Sequence, residues 1–334
     1  MQISNRFKVV SVITLSILTA GVVWADPLDP PAVTTEPQTQ VVVEQPKTEP
    51  VVKKASPYAL PWQLRSVMAA NVVRLDSAMS FYDNAAKKGG FVDANILTGS
   101  YKVMPNFSAL VRLGFVNNHA PAGTPNANSF INPLLGGLYS LPLSDEFRLG
   151  LFLGMTVPVG MGGGDTPDAS VKAANAAGLL ARSAMDNALF AVNYFTVVPG
   201  IGLAYMSHGL TAQVEATVLQ LTRVRGSTVD KDPSRTNLTS GLELGYSLCP
   251  SMFVEGELRY QRWLNNDAVS SSPSPATQNL SFAVGPRFNF KQGKLTFKPG
   301  IAYAQGLAGP IAKSGYTSPT NSDKIIFVDL PVTF

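Results

Sequence analysis

The sequence predicts an all-β chain: a transmembrane, antiparallel, up-and-down β-barrel of about twelve strands, with a short helix in one extracellular loop. Three observations predict it. From Trp62 onward, apolar and polar residues alternate with period two through segments of about ten residues, separated by Gly, Pro, Asn and Ser clusters. The connectors between those segments alternate between short and long. The composition is 45% hydrophobic but only 14% charged, and beyond the N-terminus no run of roughly 20 apolar residues exists to cross a membrane as a helix.

Residues 1–25 read as a secretory signal peptide. Arg6 and Lys8 form the positive start, Val9 to Val23 the apolar stretch, and Val23-Trp24-Ala25 the small-residue cleavage site, so cutting after Ala25 leaves Asp26 first. The competing reading, a retained signal anchor, needs a longer apolar stretch than this one. Residues 26–60 shift to Pro, Thr, Val, Gln, Glu and Lys, with prolines at 27, 30, 31, 37, 46, 50 and 57. Such spacing favours extended chain and forbids a helix or a central strand, which predicts a disordered periplasmic tether ahead of a barrel over 61–334.

The twelve expected strands are 72–82, 91–101, 107–118, 130–141, 147–160, 190–206, 210–225, 236–248, 252–264, 278–290, 294–306 and 324–334. One segment illustrates the alternation: Leu238, Leu242, Leu244, Tyr246 and Leu248 share a face opposite Asn237, Thr239, Glu243 and Ser247. A soluble sandwich shows the same period, so connector parity decides. PLSDEF, SHGL, LCPS and KQGK are short, whereas NHAPAGTPNANS, 161–187 and GSTVDKDPSRTN are long. Short turns on one side and long loops on the other characterise an outer-membrane barrel, and an even strand count puts both chain ends on the short-turn side. Aromatics follow suit. Phe107, Tyr139, Phe147, Tyr205, Tyr246, Phe288, Phe297 and Phe334 fall near the periplasmic rim, and Phe81, Phe115, Phe195, Tyr260, Phe282 and Tyr303 near the outer one.

The longest connector offers Asp168 as the cap of a helix running to about Met185, with Leu179, Leu180 and Met185 available for packing. It is readable as a constriction, a lid, or a helix resting on the rim.

In the last strand, KIIFVDLPVTF, alternate residues Ile326, Val328, Leu330 and Val332 are apolar and the terminal Phe334 is aromatic. This resembles the C-terminal signal by which bacterial outer-membrane barrels are recognised for assembly. Residues 62–334 resemble porin-like and solute-transport barrels of that class. The resemblance implies the outer membrane of a Gram-negative bacterium as the location. It implies membrane lipid and lipopolysaccharide as surroundings, the barrel-assembly machinery as a partner through the strand ending at Phe334, and a small-molecule solute as cargo.

With apolar faces turned to lipid, the inward charged set is Arg74, Asp76, Asp93, Arg112, Arg148, Glu215, Arg223, Arg225, Glu243, Glu255, Glu257, Arg259, Arg287, Lys298 and Asp329. Of these, Arg74, Asp76, Arg112, Arg148, Glu215, Glu243, Glu255, Glu257, Arg259 and Arg287 are the expected lumen-lining residues. Glu215, Glu243, Glu255 and Glu257 sit on three successive strands, with Arg112, Arg148 and Arg287 elsewhere around the wall. Two arrangements satisfy this pattern: a narrow wet channel with a transverse field, or charges paired across a closed lumen. The function that follows is passive passage of small solutes. The alternative is a non-conducting barrel that acts through its outer loops or tether.

Catalysis, metal and cofactor are not expected. The two histidines, His119 and His208, fall at opposite ends of the barrel with no recognisable serine or acidic motif beside them. GMGGGD lacks the Lys-Ser/Thr of a phosphate loop, and Glu255 with Glu257 reads as wall lining rather than a glycosidase pair. Cys249, the sole cysteine, lies in the LCPS turn and is expected to be buried or unreactive. The formal charge of +4, about +2 without the leader, gives no footprint for nucleic acid.

Overall fold

The computed structural model describes residues 57–83, 88–265, 278–308 and 324–334. The expected signal peptide and the expected tether up to Ser56 lie outside the described residues. Fifteen strand segments follow in order: β1 (Val72–Asp83), β2 (Gly89–Met104), β3 (Phe107–His119), β4 (Ala127–Phe130), β5 (Leu134–Pro142), β6 (Phe147–Thr156), β7 (Tyr194–Ser207), β8 (Leu210–Arg223), β9 (Ser234–Cys249), β10 (Met252–Asn265), β11 (Gln278–Phe288), β12 (Phe290–Gln292), β13 (Leu295–Phe297), β14 (Gly300–Ala308) and β15 (Lys324–Thr333). Three pairs of segments are single wall strands with a short interruption: β4 with β5, β11 with β12, and β13 with β14. The wall therefore has twelve strands, each coinciding with one of the twelve expected from the sequence.

Every neighbour is antiparallel, and β1 closes the sheet on β15 from Val72 opposite Thr333 to Phe81 opposite Lys324. A closed ladder leaves no edge and satisfies the backbone donors and acceptors internally, the condition for crossing hydrocarbon with strands.

The short connectors share one end: 105–106, 143–146, 208–209, 250–251 and 293–294. At one of them His208 and Gly209 both have positive φ, 51° and 83°, which matches the twist of a two-residue hairpin. The opposite end carries the long connectors, including 157–193, which holds helices α1 (Ala169–Ala181) and α2 (Asn187–Phe190). Aromatics pair within each end: Phe147 with Tyr205 at 5.0 Å on the short-turn side, Phe282 with Tyr303 at 6.2 Å and Phe115 with Phe130 at 5.3 Å on the other.

Side chains alternate as the sequence requires. On β8, Val214 and Val218 are exposed on the outer surface, while Gln213, Glu215 and Thr217 are buried on the inner one. Two expected inward charges depart from this scheme. Asp93 is on the outer face of β2, its carboxylate accepting from Asn95 at 2.7 Å, because Val92, Ala94 and Ile96 take the inward positions. Arg225 lies beyond the end of β8 and donates to the carbonyls of Val192 and Gly160, whereas Arg223 keeps the inner register of β8 and donates to the carbonyls of Asp230 and Lys231.

The reason for Asp93 is what fills that half of the barrel. Helix α1 lies inside the wall rather than on the rim, and it makes the upper lumen an apolar core. Asp168 caps it, accepting from the amides of Ser170 and Val171. The helix ends at Ala181, before the expected Met185, because Ser183 and Ala184 adopt positive φ. Its fully buried face is Ala174, Ala177, Gly178 and Ala181, and of the expected leucines Leu179 packs part-buried against the same core. Small residues permit the close approach that a narrow bore demands: a Cβ on Gly178 would sit 2.7 Å from the Val116 side chain of the wall.

Candidate functional site

Residues 57–71 belong to no strand; they run inside the barrel from the short-turn end. The last four residues of the expected tether are thus seated in the lumen, where the Tyr58 hydroxyl donates to Gln213 at 2.6 Å and the Ala59 amide to Thr211 Oγ1 at 3.0 Å. Trp62 is only 2% exposed, and Ala59, Leu64 and Val67 are equally enclosed.

The acidic wall holds this segment by its backbone. Glu257 accepts the amides of Gln63 at 3.0 Å and Leu64 at 3.3 Å; Glu215 accepts the amide and the guanidinium of Arg65, each at 2.5 Å. Gln213 returns a bond to the Arg65 carbonyl at 2.7 Å, and Arg74 donates to the carbonyl of Trp62. An extended segment has no internal partners for its amides, so a wall of carboxylates supplies acceptors for them.

The inner wall is also shaped to it. Gly241 lies under Leu64, Gly245 under Ala59, Gly150 and Gly202 under Val67, and Gly300 under Trp62. A Cβ at Gly241 or Gly300 would fall 2.5 Å from the seated side chain, so these positions need glycine for the close approach.

From the other end the loop carrying α1 delivers Arg182 and Asp186. Arg182 pairs with Asp186 at 2.9 Å and with Asp76 of the wall, and Asp186 also pairs with Arg112 at 2.8 Å. The wall continues the chain of charges: Arg74 with Asp329 at 2.9 Å, Asp329 with Arg287 at 2.7 Å, Arg287 with Glu255 at 3.0 Å. Arg259 reaches Gln63, with Glu257 3.6 Å from its Nε. Both arrangements open to the sequence had charges facing across the bore. The structure adds two inserted segments, which contribute Arg65, Arg182 and Asp186 to the pairing beside the pairs made within the wall.

All ten expected lumen residues lie on inner faces. Arg74, Asp76, Arg112, Glu215, Glu255, Glu257, Arg259 and Arg287 are in the network just described. Arg148, near the short turns, has among the described residues only a 3.5 Å contact with Ser140 Oγ. Glu243 is fully buried and has no hydrogen-bond partner among the described residues. Sequence reasoning missed Arg65, Arg182 and Asp186 because it treated their segments as tether and loop. The available signal was Tyr58, Leu60, Trp62, Leu64 and Val67, an apolar cluster incongruous at the end of a solvated proline-rich stretch.

Beside the N-terminal segment, towards β1, β2, β3, β5 and β6, a cavity of about 260 Å³ remains. Apolar side chains of Leu60, Trp62, Met68, Leu110, Leu138 and Phe152 line it together with several cations and one acid, Asp76.

The residues with catalytic chemistry do not form a site. His119 stacks on Phe91 at 6.0 Å at the long-loop end. His208 does have a serine and an acid close by, contrary to the sequence expectation: Ser207 Oγ lies 2.8 Å from its Nδ1 and 2.7 Å from Glu146. The serine stands between acid and imidazole, whereas nucleophilic catalysis needs the imidazole between serine and acid, so the set braces the turn. Cys249, expected to be buried or unreactive, is exposed, with its Sγ 3.3 Å from Ser251 Oγ. No group of metal-binding side chains occurs among the described residues.

No family model and no curated protein matches the sequence. Solved structures match the fold. The COG4313 outer-membrane channel from Pseudomonas putida F1 superimposes with a TM-score of 0.52 at 13% identity, over 83% of this chain and all (100%) of that one. The NanC porin gives 0.45 at 9% identity over 78% and 98% of the two chains, and the KdgM porin 0.43 at 9% over 78% and 99%. The likeness to the COG4313 channel shows a shared fold, the closed antiparallel β-barrel described above.

Proposed function

We propose that this chain is an outer-membrane channel for small solutes, closed in the described conformation and opened by withdrawal of residues 57–71. One observation carries the reading: the wall is complete without that segment. Every wall strand is paired to two others and β1 meets β15 directly, so the segment can leave without breaking the barrel. Its anchors are hydrogen bonds, the Arg65–Glu215 ion pair and the burial of Trp62, Leu64 and Val67, none of them covalent and none part of the ladder. The polypeptide ahead of it, exported and cut after Ala25 on this reading, would hang in the periplasm, where a pull on it draws the segment out. The C-terminal strand ending at Phe334 would direct insertion among membrane lipid and lipopolysaccharide. Solutes would then pass between the acidic wall of β8 to β10 and the arginines opposite, with no chemical change to them.

The test is single-channel conductance in a planar bilayer. The full chain should conduct rarely, and a variant with 57–68 replaced by a Gly/Ser sequence should conduct in steady, discrete steps. If that variant folds as a heat-modifiable barrel and never conducts, the channel reading fails and the barrel acts through its loops or its N-terminal region.

A further inference from the structure

We propose that the cavity beside the N-terminal segment is a binding site for a small amphiphilic organic anion, a monocarboxylate with a single-ring or short-chain apolar body. The inference deepens the channel reading and rests on it for the direction of passage, but the site is testable without conductance.

Size comes first. A cavity of roughly 150 Å³ holds benzene, and drug-sized ligands take pockets of roughly 300 Å³ and more. The 260 Å³ observed here fits one ring with its polar group. The walls supply the apolar half of the recognition through Trp62, Leu110 and Phe152.

Charge selects the rest. Lys298, Arg74 and Arg112 are level with one another on alternate strands of the inner wall. The Lys298 amide bonds Pro331 of β15, Pro331 is opposite Arg74 of β1, Arg74 is opposite Thr98 of β2, and Thr98 is opposite Arg112 of β3. Adjacent strands are about 4.8 Å apart, so the three cations form a row with spacings near 10 Å along one side of the cavity. The cavity lining offers a single acid, Asp76, paired with Arg182 and 3.8 Å from Arg74; behind the lining, Asp329 pairs with Arg74 and Asp186 with Arg112, which leaves Lys298 as the cation of the row with no ion pair among the described residues.

The row is not saturated. Arg112 donates to Asp186 through Nη1 alone among the described residues, leaving Nε and Nη2 for another acceptor. The Lys298 ammonium has no hydrogen-bond or ion-pair partner among the described residues. A half-buried ammonium with no direct partner in a low-dielectric lumen is costly, and an entering carboxylate relieves that cost. A neutral solute of the same shape gains the apolar contact and nothing more. On the acidic wall, Glu215 and Glu257 accept backbone amides of the seated segment and Glu255 pairs with Arg287, so these three carboxylates already have donors of their own.

Calorimetric titration of the full-length mature protein in non-ionic detergent, with benzoate and with benzyl alcohol, tests the site. Benzoate should bind about tenfold or more tightly than the alcohol, Lys298→Gln should abolish most of that preference, and Lys298→Arg should keep it. Equal affinities for the two probes, or an unchanged preference in Lys298→Gln, would overturn the proposal. Benzoate binding by a barrel that never conducts would retain the site and refute the channel. Conductance of the segment-replaced variant with no benzoate binding to the full chain would do the reverse.

Discussion

Gln63 donates through Nε2 to the backbone carbonyl of Arg182 at 3.3 Å, so a segment that enters from the short-turn end touches a loop that enters from the long-loop end. The two residues are 119 apart in sequence and neither belongs to the wall. Around this contact Arg182 and Arg259 are 1% exposed and Glu255 and Glu257 no more than 2%, which marks the level at which the bore is filled.

Glu257 should hold the closed state. Two amides of the seated segment share its carboxylate, and hydrogen bonds to a charged acceptor contribute about 1.5–3 kcal/mol each. Glu257→Ala should raise the fraction of time that single channels spend open by tenfold or more, as read in planar bilayers; Glu257→Gln, which keeps one acceptor, should raise it less.

Sterics should achieve the same end without touching a charge. Gly300→Val puts a side chain where Trp62 sits, and the five-residue glycine lining leaves the neighbouring wall no slack. In a Trp24→Phe, Trp263→Phe background Trp62 is the single tryptophan of the sequence, so eviction should appear as a red shift of its emission and as new protease sensitivity near Arg65.

Removing Arg182 leaves Asp76 and Asp186 buried without one of their counter-ions. Arg182→Ala should destabilise the inserted loop by about 3–5 kcal/mol, and adding Asp76→Asn should recover part of the loss. Hydrogen exchange across α1 is the readout, since the closed ladder of the wall holds independently.

Asp168 provides a pH dependence outside the membrane span. Hydrogen bonds from the Ser170 hydroxyl and from the Val171 and Ser170 amides hold its carboxyl below the usual carboxylate range. A folded-state pKa lower than the unfolded one means its contribution is fully present above about pH 4 and is lost as pH falls through the depressed value. Amide exchange at Ser170 and Val171 should therefore speed up, beyond its intrinsic pH trend, only under acid conditions. In Asp168→Ala it should be fast throughout.

The sequence by itself determined the wall. Period two assigns each residue to one of two faces, turn residues set the ends, and connector parity fixes which end holds the long loops; all three are local, and each of the twelve strands was legible for that reason. It also determined that Arg74, Glu243, Glu255, Glu257 and Arg259 face inward, since a one-residue slip would reverse an entire strand. Only the tertiary structure decided what those residues meet. The inference that polar means inward failed at Asp93 because α1, a loop element, converts the upper lumen into an apolar core and inverts the rule there. The paired arrangement draws in Arg65, Arg182 and Asp186 beside the pairs within the wall; Arg65 meets Glu215 across 150 residues and Arg182 meets Asp76 across 106. Glycines such as Gly241 and Gly300 look like ordinary strand glycines until the chain that lies over them is seen. A barrel wall is written in nearest-neighbour periodicity, but the contents of its bore are set by long-range contacts that no local pattern records.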